Sequence, residues 1–366
     1  MLLLILITAF LFFLLIGVPI AFVLGLTPLV VFIFRGETPL VLSAQRVFTA
    51  MDTPILMAVP FFILAGNIMS AGGMTGRLLR FSSLVLGTLR GGLAYINIVI
   101  SMLFAGITGA AVADTSAVGS ILIPAMKKEG YPGDFSAAVT ATSSTIGPII
   151  PPSIPFIIYG VLAEVSIASL FLAGFVPGLL LGLFQMGVVW YSAKKHGYGK
   201  TARPKAGEFL RVIADAGLVL MMPFIILGGI LSGVFTPTES GCIAACYAAA
   251  VSVLIYRDVR IRDLPALLVK TGVTSSLVML VIATASIFSW LLASEEVPQA
   301  VAEQMLGVTD NKFVILLLLN AMLLVIGTFM ETTASLIILT PILLPLMTRI
   351  GVDHLHFGVI MVLNLV

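Results

Sequence analysis

Two stretches of this chain can be laid over each other at one fixed offset, and both interrupt apolar sequence with polar residues that a bilayer does not ordinarily accept. The first, Gly106-Ile-Thr-Gly-Ala-Ala-Val-Ala-Asp-Thr-Ser116, leads on to Pro124, Gly130 and Ser143. The second, Gly327-Thr-Phe-Met-Glu-Thr-Thr-Ala-Ser335, leads on to Pro345, Gly351 and Asn364. A shift of 221 residues pairs Gly106 with Gly327, Pro124 with Pro345, Gly130 with Gly351 and Ser143 with Asn364. Polar breaks repeated at corresponding positions of two apolar halves are the mark of a secondary transporter. Backbone freed inside a membrane must be satisfied by protein or line a polar cavity, and in such folds it coordinates ions near the midplane.

The membrane itself follows from composition. Of 366 residues 60% are hydrophobic and 10% charged, and the mean hydropathy is +1.18. Apolar runs of about 18 or more residues recur, which implies an all-α polytopic membrane protein. A β-barrel needs period-2 alternation, which runs such as Leu2–Phe13 and Val314–Leu319 lack. Spans are expected near 1–16, 18–34, 54–70, 134–160, 168–192, 213–233, 236–256, 273–293 and from 354 onward. The first reads as a retained helix and not a signal peptide, because no basic segment precedes it. Residues 91–126 and 313–348 are apolar, then polar and Gly-rich, then apolar again. Their arms of about 15 residues are short of the roughly 20 that a crossing needs, so each is expected to be a re-entrant helical hairpin.

Charge orients these segments. With re-entrant hairpins, 15 of the 19 Lys and Arg fall on one side, leaving Arg35, Arg46, Lys312 and Arg349 on the other. The positive side is cytoplasmic. The segment 294–312, with Glu295, Glu296, Glu303 and Asp310, is then outside. One hairpin opens inward and the other outward, so the repeats have inverted topology and their tips are expected to meet near the midplane. The domains read as a first repeat over 1–192 (hairpin 91–126, broken helix 134–160), a basic cytoplasmic linker over 193–212, and a second repeat over 213–366. Segments 38–51, 71–90, 262–272 and 293–312 read as interfacial amphipathic helices that could frame a moving core.

The chemistry-bearing residues cluster at the breaks. Ser143-Ser-Thr-Ile-Gly-Pro-Ile-Ile-Pro-Pro-Ser-Ile-Pro155 holds four prolines and cannot be a continuous helix. Carbonyls from Gly147 to Ile150 are left to line a polar site, and oxygen ligands suit a hard cation such as sodium; the competing reading is a kinked helix satisfied by Ser and Thr. Thr108, Ser116 and Ser120 add hydroxyls to the first tip and Asp114 a carboxylate; Thr328, Thr332, Thr333 and Glu331 do so in the second. An ionisable group inside a membrane segment is a functional candidate, although either acid could instead cap a helix. Asp114, Ser116, Ser153 and Thr332 are the candidate solute contacts. No hydrolase or nucleotide-binding motif appears, so transport must draw on an ion gradient and no enzyme activity is expected. Cys242 and Cys246 have no His nearby and read as small apolar filler. The dispersed positive charge suggests no nucleic-acid surface; the basic linker fits anionic lipid.

These segments together resemble the large membrane subunit of tripartite ATP-independent periplasmic (TRAP) transporters over essentially the whole chain. The carriers are Gly17-Val-Pro-Ile-Ala21, Pro60-Phe-Phe-Ile-Leu-Ala-Gly-Asn-Ile-Met69, Gly106 to Gly119 with Ile123-Pro-Ala-Met126, Gly147-Pro-Ile-Ile-Pro-Pro-Ser153, Phe235-Thr-Pro-Thr-Glu239 and Gly327-Thr-Phe-Met-Glu331. The resemblance implies an elevator-type, sodium-coupled importer of organic acids such as dicarboxylates or sialic acids in the bacterial inner membrane. It implies a small four-helix membrane subunit and a periplasmic binding protein as partners, sodium as the coupling ion and no other cofactor. By resemblance, one sodium site falls on Gly106, Thr108, Gly147, Ile150 and Pro152. A second falls on Gly327, Thr328 and Glu331 with a broken helix after Asn364. The counterpart of Gly147 would fall at position 368, past Val366, so this second break is expected to be cut off or built differently. A transporter working alone and a non-transporting membrane scaffold are the alternatives.

Overall fold

The computed structural model describes residues 2–36, 40–108, 111–198, 209–309 and 311–366, with side chains described there except at 3, 105–108, 113 and 209–211. Among the described residues there are α-helices and no strand. In chain order they are α1 (Leu2–Leu15), α2 (Ile20–Arg35), α3 (Val41–Met51), α4 (Ala58–Ala71), α5 (Met74–Leu86), α6 (Gly92–Thr108), α7 (Ala111–Lys128), α8 (Gly133–Ser144) and α9 (Ile154–Leu162). There follow α10 (Ile167–His196), α11 (Phe209–Leu231), α12 (Pro237–Ala250), α13 (Leu264–Ser294), α14 (Val297–Val308), α15 (Lys312–Gly327), α16 (Thr332–Arg349) and α17 (His354–Leu365). Among the described residues six stretches are long and apolar enough to cross a membrane: Pro54–Ala71, Ile167–His196, Val212–Leu231, Pro237–Ile255, Ile261–Ser294 and Thr332–Arg349.

The helix limits repeat at the 221-residue offset. α7 and α16 begin and end at equivalent positions, and so do α8 and α17. Between them Gly130 and Gly351 hold φ of +86° and +64°. This left-handed turn strains any residue with a Cβ, so glycine ends both helices in the same way.

The helices form two compact units, interleaved in sequence: Ala58–Phe156 with Ile167–Thr271, and Met1–Met57 with Ile157–Ser166 and Gly272–Val366. In the unit that contains α7, α12 packs along α4 through Ser240, Gly241, Ala244, Ala245 and Ala248, all buried. Small residues let two backbones approach, which substitutes for the hydrophobic drive that is missing in lipid. The Phe235-Thr-Pro-Thr-Glu239 motif is the start of α12. The Thr236 hydroxyl accepts from the Glu239 amide at 3.3 Å while the Glu239 carboxylate accepts from the Thr236 amide at 2.8 Å. This reciprocal cap satisfies two of the helix's free amides. The amphipathic α5 is anchored by Arg77, which pairs with Asp258 at 2.7 Å, donates to the Gly72 carbonyl at 2.9 Å and lies 3.6 Å from the Tyr256 ring centroid. Cys242 and Cys246 are free thiols, and Cys246 turns outward and fills no core space.

In the other unit α1 packs on α2, which ends at Gly36 with φ +70° and a capping bond from the Gly36 amide to Phe32. Arg35 pairs with Glu295 at 2.9 Å, and Arg46 sits 5.6 Å from the Trp290 ring centroid. The segment 293–312 forms the helix α14, packed on α16; Asp310 lies outside the described residues.

One expected element differs. Residues 262–272 are no separate helix but run into the 273–293 span as one 31-residue α13. Gly272 is the only weak point there, and a single glycine in a helix interior costs only about 1 kcal/mol against alanine. The 134–160 span is two helices, α8 and α9, joined by a non-helical stretch, as four prolines require. Of the basic linker, 199–208 lie outside the described residues; α10 already runs to His196 and α11 starts at Phe209. Large apolar side chains such as Phe184, Phe224, Leu277 and Leu317 stand exposed, an exterior suited to the hydrocarbon of a bilayer.

Candidate functional site

The first candidate site is built by α6, α7, α8 and the break that follows α8. The α8 ladder ends in short turns, Ile146 amide to Ser143 and Gly147 amide to Ser144, after which the prolines stop it. Among the described residues, no donor reaches the carbonyls of Gly147, Ile150 or Pro152, although 147 to 153 are all buried. Pro151–Pro152 is a cis peptide. Ser153 closes the break: its hydroxyl donates to the Pro148 carbonyl and accepts from the Phe156 amide at 3.3 Å, which caps α9.

The break is held against α10 by a stripe of glycines. A Cβ on Gly174 would lie 2.3 Å from the Phe156 ring and 2.9 Å from the Ile149 carbonyl oxygen. One on Gly178 would lie 2.5 Å from Ile150, and one on Gly182 2.5 Å from the Met102 sulfur. Sequence reasoning overlooked this stripe, though its four-residue spacing in an apolar helix is a readable signal of close packing.

Asp114 stands in the first turn of α7 and is fully buried. Among the described groups neither carboxylate oxygen makes a hydrogen bond of ordinary geometry, and the Ser101 and Ser144 hydroxyls beside it are the donors at hand. Behind them runs a polar ladder between α6 and α8. Asn97 donates to Thr140 at 2.7 Å, Ser143 donates to Asn97 at 3.3 Å, and the Ser101 and Ser143 hydroxyls are 3.0 Å apart. Asn97 and Ser101 were also missed; polar residues one turn apart within an apolar span were the available signal. Ser116 and Ser120 are not brought to Asp114. Both are exposed and donate back to their own helix, to Val112 at 2.9 Å and Ala117 at 3.0 Å. Two residues along a helix is more than half a turn, so Ser116 faces away from Asp114. Gly106 and Thr108 lie in the last turn of α6, and their side chains lie outside the described residues.

The second candidate site is formed by α15, α16 and α17. A Cβ on Gly327 would lie 2.9 Å from the Asn364 carbonyl oxygen and 3.1 Å from the Leu365 Cα, so the end of α15 lies against the end of α17. The Thr332 hydroxyl donates to the Leu365 carbonyl at 2.8 Å, and Asn364 donates to Asn320 at 2.7 Å. Asn364 stands where Ser143 does at the 221-residue offset, and each bonds to a polar residue of the first helix of its pair, Asn320 and Ser101, though these two are not at equivalent positions. Glu331 caps α16, accepting from the Ala334 amide at 3.0 Å, and is exposed. Thr328 is exposed too and donates to Val325 at 2.6 Å.

Among the described residues no group of three His, Cys, Asp or Glu could hold a transition metal. The polar atoms gathered at both candidate sites are oxygens of hydroxyl, carbonyl and carboxylate groups, the kind that suits a hard cation. Such sites, set on paired breaks within apolar helices, define a polytopic membrane transport protein.

The family model for the DctM component of the tripartite ATP-independent periplasmic transporters matches residues 7–366, and the chain belongs to that family. It is 44% identical over 97% of its length to the isethionate TRAP transporter permease protein DctMQ of Oleidesulfovibrio alaskensis, spanning 56% of that relative. It is 38% identical to the sialic acid TRAP transporter large permease protein SiaM of Vibrio cholerae, over 95% of this chain and 82% of the relative. Identity to the C4-dicarboxylate TRAP transporter large permease protein DctM of Rhodobacter capsulatus is 36%, again over 95% and 82%. The family and the apolar helices make the chain a multi-pass protein of the bacterial inner membrane.

Proposed function

We propose that the chain is the large membrane subunit of a sodium-coupled importer of organic acids, which works as an elevator with a small membrane subunit and a periplasmic binding protein. The relatives are named for isethionate, sialic acid and C4-dicarboxylates, all organic anions, and the family name describes a tripartite, periplasmic system. The observation that carries the coupling ion is Asp114. An ionised carboxylate so deeply buried, beside only the two neutral hydroxyls of Ser101 and Ser144 among the described residues, is too costly to persist unless a cation or a proton neutralises it. Serine hydroxyls, the carbonyl end of α8 with its negative dipole and the unpaired carbonyls of Gly147, Ile150 and Pro152 are a ligand set for sodium. Asp114 belongs on this cation side; an anionic solute would be repelled by it. In the second site Gly327, Thr328 and Glu331 supply the equivalent groups, and Thr332 lies beside them for the solute. Ser153 serves the site by shaping the break.

Uptake of a candidate acid into proteoliposomes, with and without a sodium gradient and a binding protein, tests the reading. Uptake is expected only with both. Full uptake without a binding protein would favour a transporter acting alone, and no flux under any gradient would favour a scaffold. In the same assay Thr108→Val, which removes a hydroxyl at nearly constant volume, is expected to raise the sodium concentration needed for half-maximal uptake roughly tenfold, the scale of a lost charged-group contact. An unchanged sodium requirement removes Thr108 from the ligand set.

Inverted topology has its own check. Cysteines at Lys128, the end of α7, and at Gln304, on α14, are expected to react with an impermeant reagent from opposite sides of the membrane. Labelling of both from one side would discard the inversion.

A further inference from the structure

We propose that Tyr159 is a positioning residue for the second site: with His354 and Gly358 it fixes α17 in place, and α17 acts as a strut holding the tip of the α15–α16 pair. This rests on the reading of that tip as an ion site. Tyr159 is fully buried, and its hydroxyl donates to the His354 carbonyl at 2.6 Å. Its ring lies so close on α17 that a Cβ at Gly358 would come within 2.2 Å of the ring edge. The side chain of His354 is within 2.9 Å of the Thr348 hydroxyl in the last turn of α16, and Asp353 caps the helix by accepting from the His356 amide at 3.1 Å. The start of α17 is thus held from its side, its end and its axis.

The other end of α17 meets the tip. Asn364 and Leu365 touch Gly327 through backbone, Leu365 accepts the Thr332 hydroxyl, and Asn364 binds Asn320. Twelve helical residues separate these ends only by about 18 Å, a length over which a packed helix moves as a body. A change of register at Tyr159 is therefore delivered to Gly327 and Thr332. Tyr159 itself stands on α9, which begins directly after the proline break.

Tyr159→Phe keeps the ring on Gly358 and removes only the hydrogen bond. Hydrogen exchange of the purified protein, followed by mass spectrometry, is expected to speed up both at 354–358 and at the tip, 327–334, while peptides of α4 and α12 stay unchanged. Half-maximal sodium for uptake should rise roughly five- to tenfold, the scale of one buried hydrogen bond, with the maximal rate nearly retained; Tyr159→Ala should shift both readouts further. Faster exchange confined to 354–358, with the tip untouched, overturns the strut. If the unsubstituted protein takes up its acid regardless of sodium, the coupling reading falls, and the exchange of the tip alone decides for or against the strut.

Discussion

Asp114→Asn is expected to abolish sodium-stimulated uptake, a loss of at least about a hundredfold, and at the same time to make the protein more stable in sodium-free buffer. Both effects come from one feature, a fully buried carboxylate with no cationic partner among the described residues. Asparagine keeps the shape and removes the charge. Without sodium, that relieves the cost of an unpaired buried ion; with sodium, it removes the strongest ligand, and breaking a buried charged pair costs about 3–5 kcal/mol. A ligand that binds only the folded state raises its stability. Added sodium should therefore raise the melting temperature of the unsubstituted protein and leave that of Asp114→Asn where it is. Thermal melts and proteoliposome uptake, each across a sodium series, check the pair of outcomes. A variant that keeps both its sodium-dependent melt and its uptake would show that Asp114 plays no part in binding the ion.

Gly327→Ala should reduce uptake by roughly ten- to a hundredfold without unfolding the protein. The added methyl meets backbone, the Asn364 carbonyl at 2.9 Å and the Leu365 Cα at 3.1 Å, and backbone within a helix cannot turn aside as a side chain can. α15 and α17 must separate, which strains the Asn320–Asn364 bond between them; overpacking of this kind costs about 1–3 kcal/mol. Gly272→Ala is the matched control. A Cβ there meets nothing within 4 Å, and in the interior of α13 alanine should stabilise by about 1 kcal/mol. Uptake equal in the two variants would mean that the contact between α15 and α17 does not matter to transport.

Much of the architecture was legible beforehand because it depends on local chemistry. The helices follow from apolar runs, the break after Ser144 from four prolines without amide hydrogens, and the matching turns at Gly130 and Gly351 from a backbone angle that only glycine adopts freely. The candidate sites were legible in kind, since oxygen-bearing residues inside apolar segments stand out. Their arrangement was less so. Ser116 and Asp114 are near neighbours in sequence, yet one is exposed and the other buried. Glu331 and Asp114 looked alike, yet one caps a helix and the other is buried with no cationic partner among the described residues. Segment 262–272 looked like a separate surface helix and is the first part of α13.

Sequence alone determined that this chain is a helical membrane protein with a repeated, polar, broken element, because hydropathy, proline and glycine act on the residues next to them. Only the tertiary structure decided which polar groups are left unpaired. The groups that surround Asp114, the Gly147 and Ile150 carbonyls and Gly327 come from other helices than their own, and whether a group is satisfied or waits for an ion depends on which of those helices packs against it.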